Sequence, residues 1–273
     1  MAKRKPRIGI ALGAGSARGW AHIGVLDALE KANIKPEVVS GTSIGSLVGA
    51  VYANDTLPQL EQWVLALTWR KVVGYFDLSF SSGLLKGSKL FDYLRGGLLD
   101  KRIEELKRPF AAVATDLASG REVWLREGLV ADAVRASIAM PGLFTPHVQE
   151  DRLLVDGALV NPVPVSLARA MEADFVIAVD LGSQSNGRQL MPAETGRFVL
   201  PGMVEVITAG LNIMSVRITR SRMAGEPAEV VIQPRLGNVG LLEYHRAAEA
   251  IEAGRAAAEQ AIPAIERGLQ EWR

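Results

Sequence analysis

A serine flanked by glycines is the residue of this 273-residue chain best placed to act as a nucleophile. The pentapeptide Gly41-Thr42-Ser43-Ile44-Gly45 follows the short apolar run 38–40. A G-x-S-x-G sequence turns a chain sharply from a strand into a helix and exposes the serine hydroxyl at the tip of the turn. The positive end of the following helix favours a developing negative charge there. The pattern predicts Ser43 as a nucleophile, with Gly41 and Gly45 supporting the turn; the alternative is a serine that only caps the helix.

A second glycine-rich turn, residues 13–19 (GAGSARG), follows a predicted strand and opens a helix. Its backbone N–H groups favour either a phosphate or dinucleotide site or an oxyanion hole for a tetrahedral intermediate. The glycine spacing differs from G-x-G-x-x-G, but Glu37 lies at about the distance of a ribose-binding acid. The turn alone therefore slightly favours a nucleotide. Arg18 adds a positive charge that we expect at the rim of the crevice, unless it is a surface residue or part of an ion pair.

Ser43 shifts the balance from nucleotide binding towards acyl transfer. The strands before residue 13 and before Ser43 are consecutive and short, and consecutive parallel strands usually lie side by side. Both turns should then face one crevice. A nucleophile beside a row of amide donors is the arrangement that acyl transfer needs.

Histidines and strand-end aspartates are the candidate bases for Ser43. They are His22, His147 and His245, together with Asp116, Asp156 and Asp180. The order Ser43, an aspartate, His245 would match the α/β-hydrolases. In that fold several strands precede the nucleophile, whereas only two fit before Ser43 here, and His245 lies in a smooth amphipathic helix.

Asp156 is the better partner for Ser43. It leaves a predicted strand at 153–155, and Gly157 permits a tight turn that would hold the carboxylate towards the same crevice. A carboxylate bonded directly to a serine hydroxyl in a dry pocket accepts the proton as the oxygen attacks. The alternative is a turn aspartate that binds its own backbone. We expect Asp116 and Asp180 to be structural.

The composition excludes several kinds of site. The chain has no cysteine, which rules out disulfides, thiolate nucleophiles and zinc–thiolate sites and fits a reducing compartment. A net charge of +1 offers no electrostatic argument for nucleic acid. No run approaches the roughly 18 apolar residues of a membrane span. The basic Lys3–Lys5 and the apolar run 8–12 imitate a signal peptide, but the apolar part is too short, so we expect a mature cytoplasmic N-terminus.

Short apolar segments alternate along the chain with segments of helical spacing. This alternation predicts an α/β fold with a mostly parallel sheet, and strands without polar alternation predict a sheet covered on both faces. We see no internal repeat or linker and expect one domain over residues 1–273, with the core motifs in about 8–182 and C-terminal helices in 203–262. The predicted strands are 7–12, 38–40, 110–115, 122–125, 153–155, 175–179 and 230–233, and the predicted helices are 20–32, 44–54, 59–67, 88–99, 129–138, 165–171, 203–223 and 242–262.

The motifs together resemble the patatin-like phospholipase family, in particular its short bacterial members. The resemblance covers most of the chain, from about residue 8 to residue 182. The motifs occur in order: the glycine-rich turn 12–19, the pentapeptide around Ser43, the proline-bearing block 136–142 (ASIAMPG) and Asp156-Gly157-Ala158.

The resemblance implies a three-layer α/β/α fold and the hydrolysis of acyl esters in lipids, with no metal and no cofactor. It implies a serine–aspartate dyad in which Ser43 is the nucleophile and Asp156 the base, with Gly157 supporting the turn. It places the oxyanion amides around Gly15 and Ser16. The full set of residues that we expect at the oxyanion hole is Gly13, Gly15, Ser16, Arg18 and Gly19.

One departure from the family concerns this glycine-rich turn. Many relatives have three consecutive glycines where this chain has Ala14-Gly15-Ser16. Side chains at these positions would narrow the crevice or shift the amides. We therefore expect an effect on substrate size more than on the type of reaction.

The expected partner is a lipid or acyl-ester substrate and not a nucleic acid. We expect a cytoplasmic location, with peripheral contact at the inner membrane face left open. The aperiodic segment 72–86, with Tyr75, Phe76 and Phe80, is either a packed loop or a flap that touches lipid. Two other functions stay open: a nucleotide-dependent enzyme that uses residues 13–19, and a non-catalytic regulatory protein on a hydrolase fold.

Overall fold

Eight β-strands of the computed structural model form one mixed sheet. The structure describes residues 4–75, 99–182 and 202–272. Five consecutive strands of the sheet are parallel, in the order β3-β2-β1-β7-β8, which confirms the prediction of a mostly parallel sheet. The strands are β1 Ile8–Leu12, β2 Val38–Thr42, β3 Phe110–Asp116, β4 Glu122–Leu125, β5 His147–Gln149, β6 Arg152–Asp156, β7 Phe175–Val179 and β8 Val230–Ile232.

Helices connect most of these strands. A 3₁₀ turn at Ser16–Trp20 leads into the first α-helix, and another at Tyr244–Arg246 leads into the last one. The α-helices of the described residues are α1 Ala21–Lys31, α2 Ile44–Ala53, α3 Leu57–Leu65, α4 Trp69–Tyr75, α5 Val130–Ser137, α6 Val165–Ala170, α7 Met203–Gly225 and α8 Ala247–Glu271.

Alternate residues of the central strands face two different hydrophobic cores. Ile10 and Leu12 of β1 pack in one core with α1, α2 and α8, whereas Ala11 packs in the other core with Val165 and Ala168 of α6. The neighbouring strand β7 repeats this alternation. Because successive side chains of a strand point to opposite faces, helices cover both faces of the sheet. This arrangement confirms the three-layer α/β/α prediction.

Two strands meet end to end along one edge of β3. β2 is parallel to β3 and places Thr42 opposite Val113, whereas β6 runs antiparallel and places Asp156 opposite Ala114. β4 pairs with residues 112–115 of β3 and overlaps both partners, so it occupies the other edge. The carboxyl ends of β2 and β6 therefore face each other across one residue step of β3. This topology brings the residue after β2 next to the last residue of β6.

Many described elements differ from the prediction by one or two residues at an end. The larger differences are helix α4 and strand β5, which were not predicted, and helix α8, which is shifted at both ends. The three-residue strand β5 is not among the predicted strands, because so short a segment contains too few positions for a periodic pattern. Helix α8 continues past the predicted end at residue 262, through Pro263 to Glu271. Proline usually ends or kinks a helix, but Pro263 is exposed, and residues on both sides of it pack against the core.

Several predictions fall partly or wholly outside the described residues. Of the aperiodic segment 72–86, residues 72–75 form the end of α4, and Phe76 and Phe80 lie outside the described ranges. The same holds for nearly all of the predicted helix 88–99. The single-domain assignment stays a prediction. In the described ranges no helix has both the length and the apolar character required to cross a membrane.

Two glycines allow α1 and α8 to touch backbone to backbone. A Cβ atom added at Gly24 of α1 would overlap the carbonyl oxygen of Ile251 in α8. A Cβ atom added at Gly254 of α8 would overlap the carbonyl oxygen of Ala21 in α1. Since protein interiors have almost no spare volume, this crossing depends on the absence of both side chains.

We predict that Gly24→Ala and Gly254→Ala each lower the free energy of unfolding by about 1–3 kcal/mol, because backbone atoms cannot move aside as a flexible side chain can. Urea denaturation followed by circular dichroism measures the change. Gly210→Ala in α7 is the matched control, since an added Cβ there meets no atom within 4 Å, and we expect a neutral or slightly stabilising effect. Wild-type stability in both α1 and α8 variants would contradict the tight crossing.

Candidate active site

Ser43 lies at a sharp turn between β2 and α2. Its backbone has φ 56° and ψ −126°, a conformation that is uncommon for a residue with a side chain. The flanking glycines allow the turn, because a Cβ atom at Gly41 would lie 2.5 Å from the Gly45 oxygen and one at Gly45 would overlap the Leu12 oxygen. The predicted strand–turn–helix context of the pentapeptide is thus present.

The structure brings Ser43 and Asp156 into direct contact. The Ser43 hydroxyl donates a hydrogen bond of 2.6 Å to Oδ2 of Asp156, although the two residues are 113 positions apart. The other carboxylate oxygen accepts a 2.8 Å bond from the Ala158 amide. Asp156 is only 2% exposed. Burial raises the pKa of Asp156 to about 6, against the opposing effect of the two hydrogen bonds.

Ser137 connects the turn at Ser43 to strand β3. Its hydroxyl accepts a 2.8 Å hydrogen bond from the Ser43 amide and donates a 2.6 Å bond to the Val113 oxygen. The Ser43 amide is therefore already paired and is not available to a substrate. The sequence predicted no role for Ser137, which belongs to the block 136–142. The one indication in the sequence is a hydroxyl among apolar residues, four positions before Pro141.

Backbone and threonine contacts fix the position of Asp156. Its amide donates to the Ala139 oxygen at 3.0 Å, and its carbonyl accepts a 2.8 Å bond from the buried hydroxyl of Thr115. A Cβ atom at Gly157 would overlap the Val113 oxygen, so only glycine permits this close approach to β3. Both backbone polar groups of Asp156, the amide and the carbonyl, are therefore hydrogen-bonded.

Most amides of the glycine-rich turn are already paired. Gly13 donates to the Val179 oxygen, Ala14 to the Pro162 oxygen and Ala17 to the Leu241 oxygen, at 2.9–3.0 Å. The amides of Gly15 and Ser16 donate to no acceptor in the part of the chain that the structure describes. Both residues line the cleft that contains Ser43 and Asp156.

The side chain of Ser16 points to a partner that the sequence did not indicate. The Ser16 hydroxyl lies 2.7 Å from the Tyr244 hydroxyl, and the Tyr244 carbonyl accepts a hydrogen bond from the Trp20 indole at 3.2 Å. Ser16 has φ 51°, a backbone conformation that glycine adopts more easily. The pair gives the Ser16 side chain a partner from the far end of the chain.

Arg18 and Gly19 do not occupy the positions expected of them. Arg18 is 5% exposed, and its Nε donates to the Val239 oxygen at 2.8 Å, so the prediction that it stands at the rim of the crevice is wrong. The 3₁₀ turn directs this side chain into the protein, and burial lowers its pKa. Gly19 makes room for Ile44, whose side chain would overlap an added Cβ atom. Neither residue lines the cleft.

The remaining candidate bases lie away from the Ser43 hydroxyl or have other partners. His22 is buried with Nε2 at 2.8 Å from the Gly13 oxygen, and burial lowers its pKa to about 4. His147 is in β5, and His245 is exposed in the 3₁₀ turn before α8. Asp116 accepts bonds from the amides of residues 118 and 119. Asp180 lines the same cleft, but its oxygens accept from the Gly182 amide and the Gln233 side chain.

Helix α7 lines a wall of the cleft. The cavity volume is about 50 Å³. Ser43, which lines it, is 4% exposed. In the described ranges no three acidic or histidine side chains are grouped to hold a metal ion.

Comparison with known proteins identifies relatives over most of the chain. The family description "Patatin-like phospholipase" matches residues 10–169. An uncharacterized NTE family protein of Mycobacterium tuberculosis is 32% identical over 333 aligned positions, which cover 96% of this chain and 92% of that protein. Patatin-like phospholipase domain-containing protein 6 of Homo sapiens is 36% identical over 185 positions, which cover 65% of this chain and 13% of that protein. The solved structure of VipD from Legionella pneumophila aligns with 96% of this chain and 67% of its own, with a TM-score of 0.49 and 13% identity.

The extent of these matches decides the family. The family description covers more than half of the chain, and the mycobacterial relative aligns with nearly all of it at more than 30% identity. The chain therefore belongs to the patatin-like phospholipase family, and this membership supports an activity as a lipid hydrolase.

Proposed function

We propose that this protein is a serine acyl-ester hydrolase of lipids, of the phospholipase A, lysophospholipase or esterase type. Ser43 is the nucleophile and Asp156 is the base. The observation that carries the proposal is the 2.6 Å hydrogen bond from the Ser43 hydroxyl to the buried Asp156 carboxylate. The same cleft is lined by Gly15 and Ser16, whose amides donate to no acceptor among the described residues. A hydroxyl, a base and amide donors are the parts that acyl transfer requires.

In the first half-reaction, Asp156 takes the hydroxyl proton as the Ser43 oxygen attacks the ester carbonyl carbon. The negative charge that forms on the carbonyl oxygen is held by the amides of Gly15 and Ser16. When the tetrahedral intermediate breaks down, Asp156 returns the proton to the departing alcohol oxygen. The fatty acyl group remains bonded to Ser43.

In the second half-reaction, water replaces the alcohol beside Asp156. Asp156 takes a proton from the water as its oxygen attacks the acyl carbon, and the same amides stabilise the new oxyanion. The carbon–oxygen bond to Ser43 then breaks, Ser43 recovers the proton, and the free fatty acid leaves. An alcohol in place of water would make the same cycle an acyl transfer to that alcohol.

The environment of Asp156 suits it to work without a histidine. A carboxylate with an ordinary pKa near 4 is a weak base, but burial raises the pKa of Asp156 to about 6. This value brings the group closer to neutral pH, where proton transfer in both directions is efficient. Each described histidine lies elsewhere, so direct transfer between oxygen atoms is the simplest route.

The position of Glu37 argues against a nucleotide-dependent enzyme. The glycine-rich turn follows the carboxyl end of β1, and β2 is parallel to β1. Glu37 precedes the amino end of β2 and is exposed. A five-residue strand is about 16 Å long, so this acid lies at the opposite end of the strands from the turn. A ribose held at the turn would not reach it.

We predict that Ser43→Ala abolishes covalent labelling by a fluorophosphonate probe and lowers hydrolysis of p-nitrophenyl esters on the order of 10⁴-fold or more. Loss of the attacking oxygen removes the acyl-enzyme, whereas binding and the amide donors remain. Ser119→Ala, at an exposed turn after β3, is the control and should keep wild-type labelling and turnover. Labelling that persists at full intensity in the Ser43→Ala protein would assign the nucleophile elsewhere; a wild-type protein that resists the probe and cleaves no ester would favour the regulatory alternative.

We predict that kcat/KM rises with pH and reaches a plateau above a midpoint near 6. Only the ionised form of Asp156 accepts the Ser43 proton, and its pKa is raised to about 6 by burial. The measurement is the hydrolysis of a short-chain p-nitrophenyl ester between pH 4 and 9, with the product read after an alkaline quench. A midpoint near 4, or a rate that does not change between pH 5 and 8, is incompatible with a buried carboxylate base.

We predict that Asp156→Asn removes nearly all turnover and yet stabilises the fold above pH 6. Because the folded pKa of Asp156 is raised, ionising this group destabilises the folded state as the pH rises from about 4 to about 6. An asparagine cannot ionise, so the variant should gain up to about 3 kcal/mol at pH 8 and lose this advantage below pH 4. Thermal denaturation of the wild type and the variant between pH 4 and pH 8 measures the difference in stability.

Asp116→Asn is the control, and its effect on folding stability should have the opposite sign to that of Asp156→Asn. Hydrogen bonds from the Ala118 and Ser119 amides hold the pKa of Asp116 below its ordinary value, so its charge stabilises the folded state above the unfolded pKa. We therefore expect this variant to be less stable than the wild type at neutral pH, with normal turnover. An Asp156→Asn protein with near-normal ester hydrolysis would refute the proposed dyad.

A further inference from the structure

Helix α7 exposes its apolar side to solvent. Five large apolar side chains on one face of the helix are between 39% and 79% exposed. They follow a helical repeat of three and four residues: Met203, Val206, Ile207, Ile213 and Met214. A surface helix usually turns its apolar stripe towards the core, so this orientation is inverted.

The opposite face of α7 is more polar and is covered. Its residues line the cleft that holds Ser43 and Asp156, and three of them are hydroxyl residues: Thr208, Leu211, Asn212, Ser215, Val216 and Thr219. Thr208 and Thr219 are each less than 10% exposed. The helix thus lies between the cleft and solvent, with four hydroxyl or amide side chains and two aliphatic ones on the cleft side and large apolar side chains outside.

Two arginines continue the exposed apolar face. Arg217 and Arg220 follow Ile213 by four and seven residues, and both are exposed. Neither forms an ion pair or hydrogen bond with any residue in the described ranges. No acidic residue occurs between Val206 and Gly225, so this part of the helix surface is apolar and basic.

The next arginine of the same helix is paired, which sets the two exposed ones apart. Arg222 donates to the Val160 oxygen at 2.8 Å and forms ion pairs with Glu122 and Glu226. Val160 lies in the segment just after Asp156. The carboxyl end of α7 is thereby held against the segment that follows Asp156, whereas the two exposed arginines have no partner within the described ranges.

From this arrangement we infer that the outer face of α7 (Met203, Val206, Ile207, Ile213, Met214, Arg217 and Arg220) docks on an anionic lipid bilayer. The inference rests on the proposed function, because docking through α7 would bring the cleft next to the lipid that the proposed hydrolase cleaves. Apolar side chains that insert at the acyl boundary, together with arginines at the level of anionic headgroups, are the elements of an interfacial helix. The negative headgroups complement Arg217 and Arg220, which lack an ion-pair partner in the part of the chain that the structure describes.

A second copy of this chain fits the same face less well. A twofold interface repeats the same residues on both sides, so it would place a basic, apolar face against another basic, apolar face with no acid to pair with Arg217 and Arg220. A lipid surface has no such conflict. Docking would also place the cleft within about one helix diameter, 10–12 Å, of the bilayer.

The test is vesicle binding by the Ser43→Ala protein, which separates docking from turnover. Two sets of vesicles serve as probes: phosphatidylcholine alone, and phosphatidylcholine mixed with phosphatidylglycerol. We expect binding to the mixed vesicles that weakens as salt increases. Adding Ile213→Ser and Met214→Ser should weaken binding to these vesicles about tenfold or more, since two inserting side chains are lost.

Charge removal gives a second, independent variant. Arg217→Gln with Arg220→Gln should weaken binding to the mixed vesicles, abolish most of its salt dependence and leave binding to pure phosphatidylcholine unchanged. Leu65→Ser with Val148→Ser is the matched control, because both side chains are exposed aliphatics, one in α3 and the other in β5, and it should bind as the parent does. When the same substitutions are made in the protein that keeps Ser43, all these variants should hydrolyse a soluble short-chain ester at the wild-type rate.

Three outcomes would overturn the inference. They are no binding of the Ser43→Ala protein to mixed vesicles, equal binding by the α7 variants and the parent, and a dimer of the parent that the Ile213/Met214 changes convert to a monomer without loss of lipid binding. The last result, measured by light scattering, would assign the face to a second copy. Vesicle binding as expected, beside a wild-type protein that cleaves no ester, would instead refute the proposed function and leave the docking face in place.

Discussion

The contact between the Ser43 hydroxyl and the Asp156 carboxylate is the constraint on which the rest of the site depends. The sheet enforces it, because β2 and β6 run towards each other along one edge of β3 and end opposite Val113 and Ala114. A slip of one residue in β6 would move the carboxylate by about 3.3 Å and turn it to the other face of the sheet. The antiparallel strands at this side of a parallel sheet are therefore the feature that makes the pair possible.

Two energetically unfavourable features, a strained backbone and a buried carboxylate, occur together at this contact. Ser43 has a left-handed backbone, and the carboxylate of Asp156 is buried, which raises its pKa to about 6. Neighbouring groups compensate in part: Ser137 pairs the Ser43 amide, and Thr115 pairs the Asp156 carbonyl. Backbone strain and a buried charge persist only where surrounding contacts hold them. Strain and a shifted pKa at one point of the sheet are also what a reaction centre requires.

The sequence predicted the parts of the site that depend on local geometry. The turn at Ser43 has a fixed glycine pattern, and the adjacency of β1 and β2 follows from chain order, so the fold class and the cleft were accessible. Two other partners from distant elements were not predicted. Ser137 and Tyr244 contact Ser43 and Ser16 through hydrogen bonds, and no local pattern comparable to the strand end and glycine at Asp156 marks them. The predicted position of Arg18 was wrong for a related reason. A 3₁₀ turn, rather than a simple helix start, directs its side chain inward to the Val239 carbonyl.

The orientation of helix α7 is a second feature that sequence periodicity does not predict. Apolar residues occur on both sides of this helix, so the sequence predicts a helix at 203–223 but not which side faces the protein. Burial decides the question: the side with Thr208 and Thr219 is covered, and the side with Ile213 and Met214 is exposed. The hydroxyl and amide groups on the cleft side of α7 suit an ester group and attacking water. The exposed apolar residues on the other side lie next to arginines that have no partner among the described residues. One helix with two such faces is consistent with an interface between a reaction in the cleft and a substrate that resides in lipid.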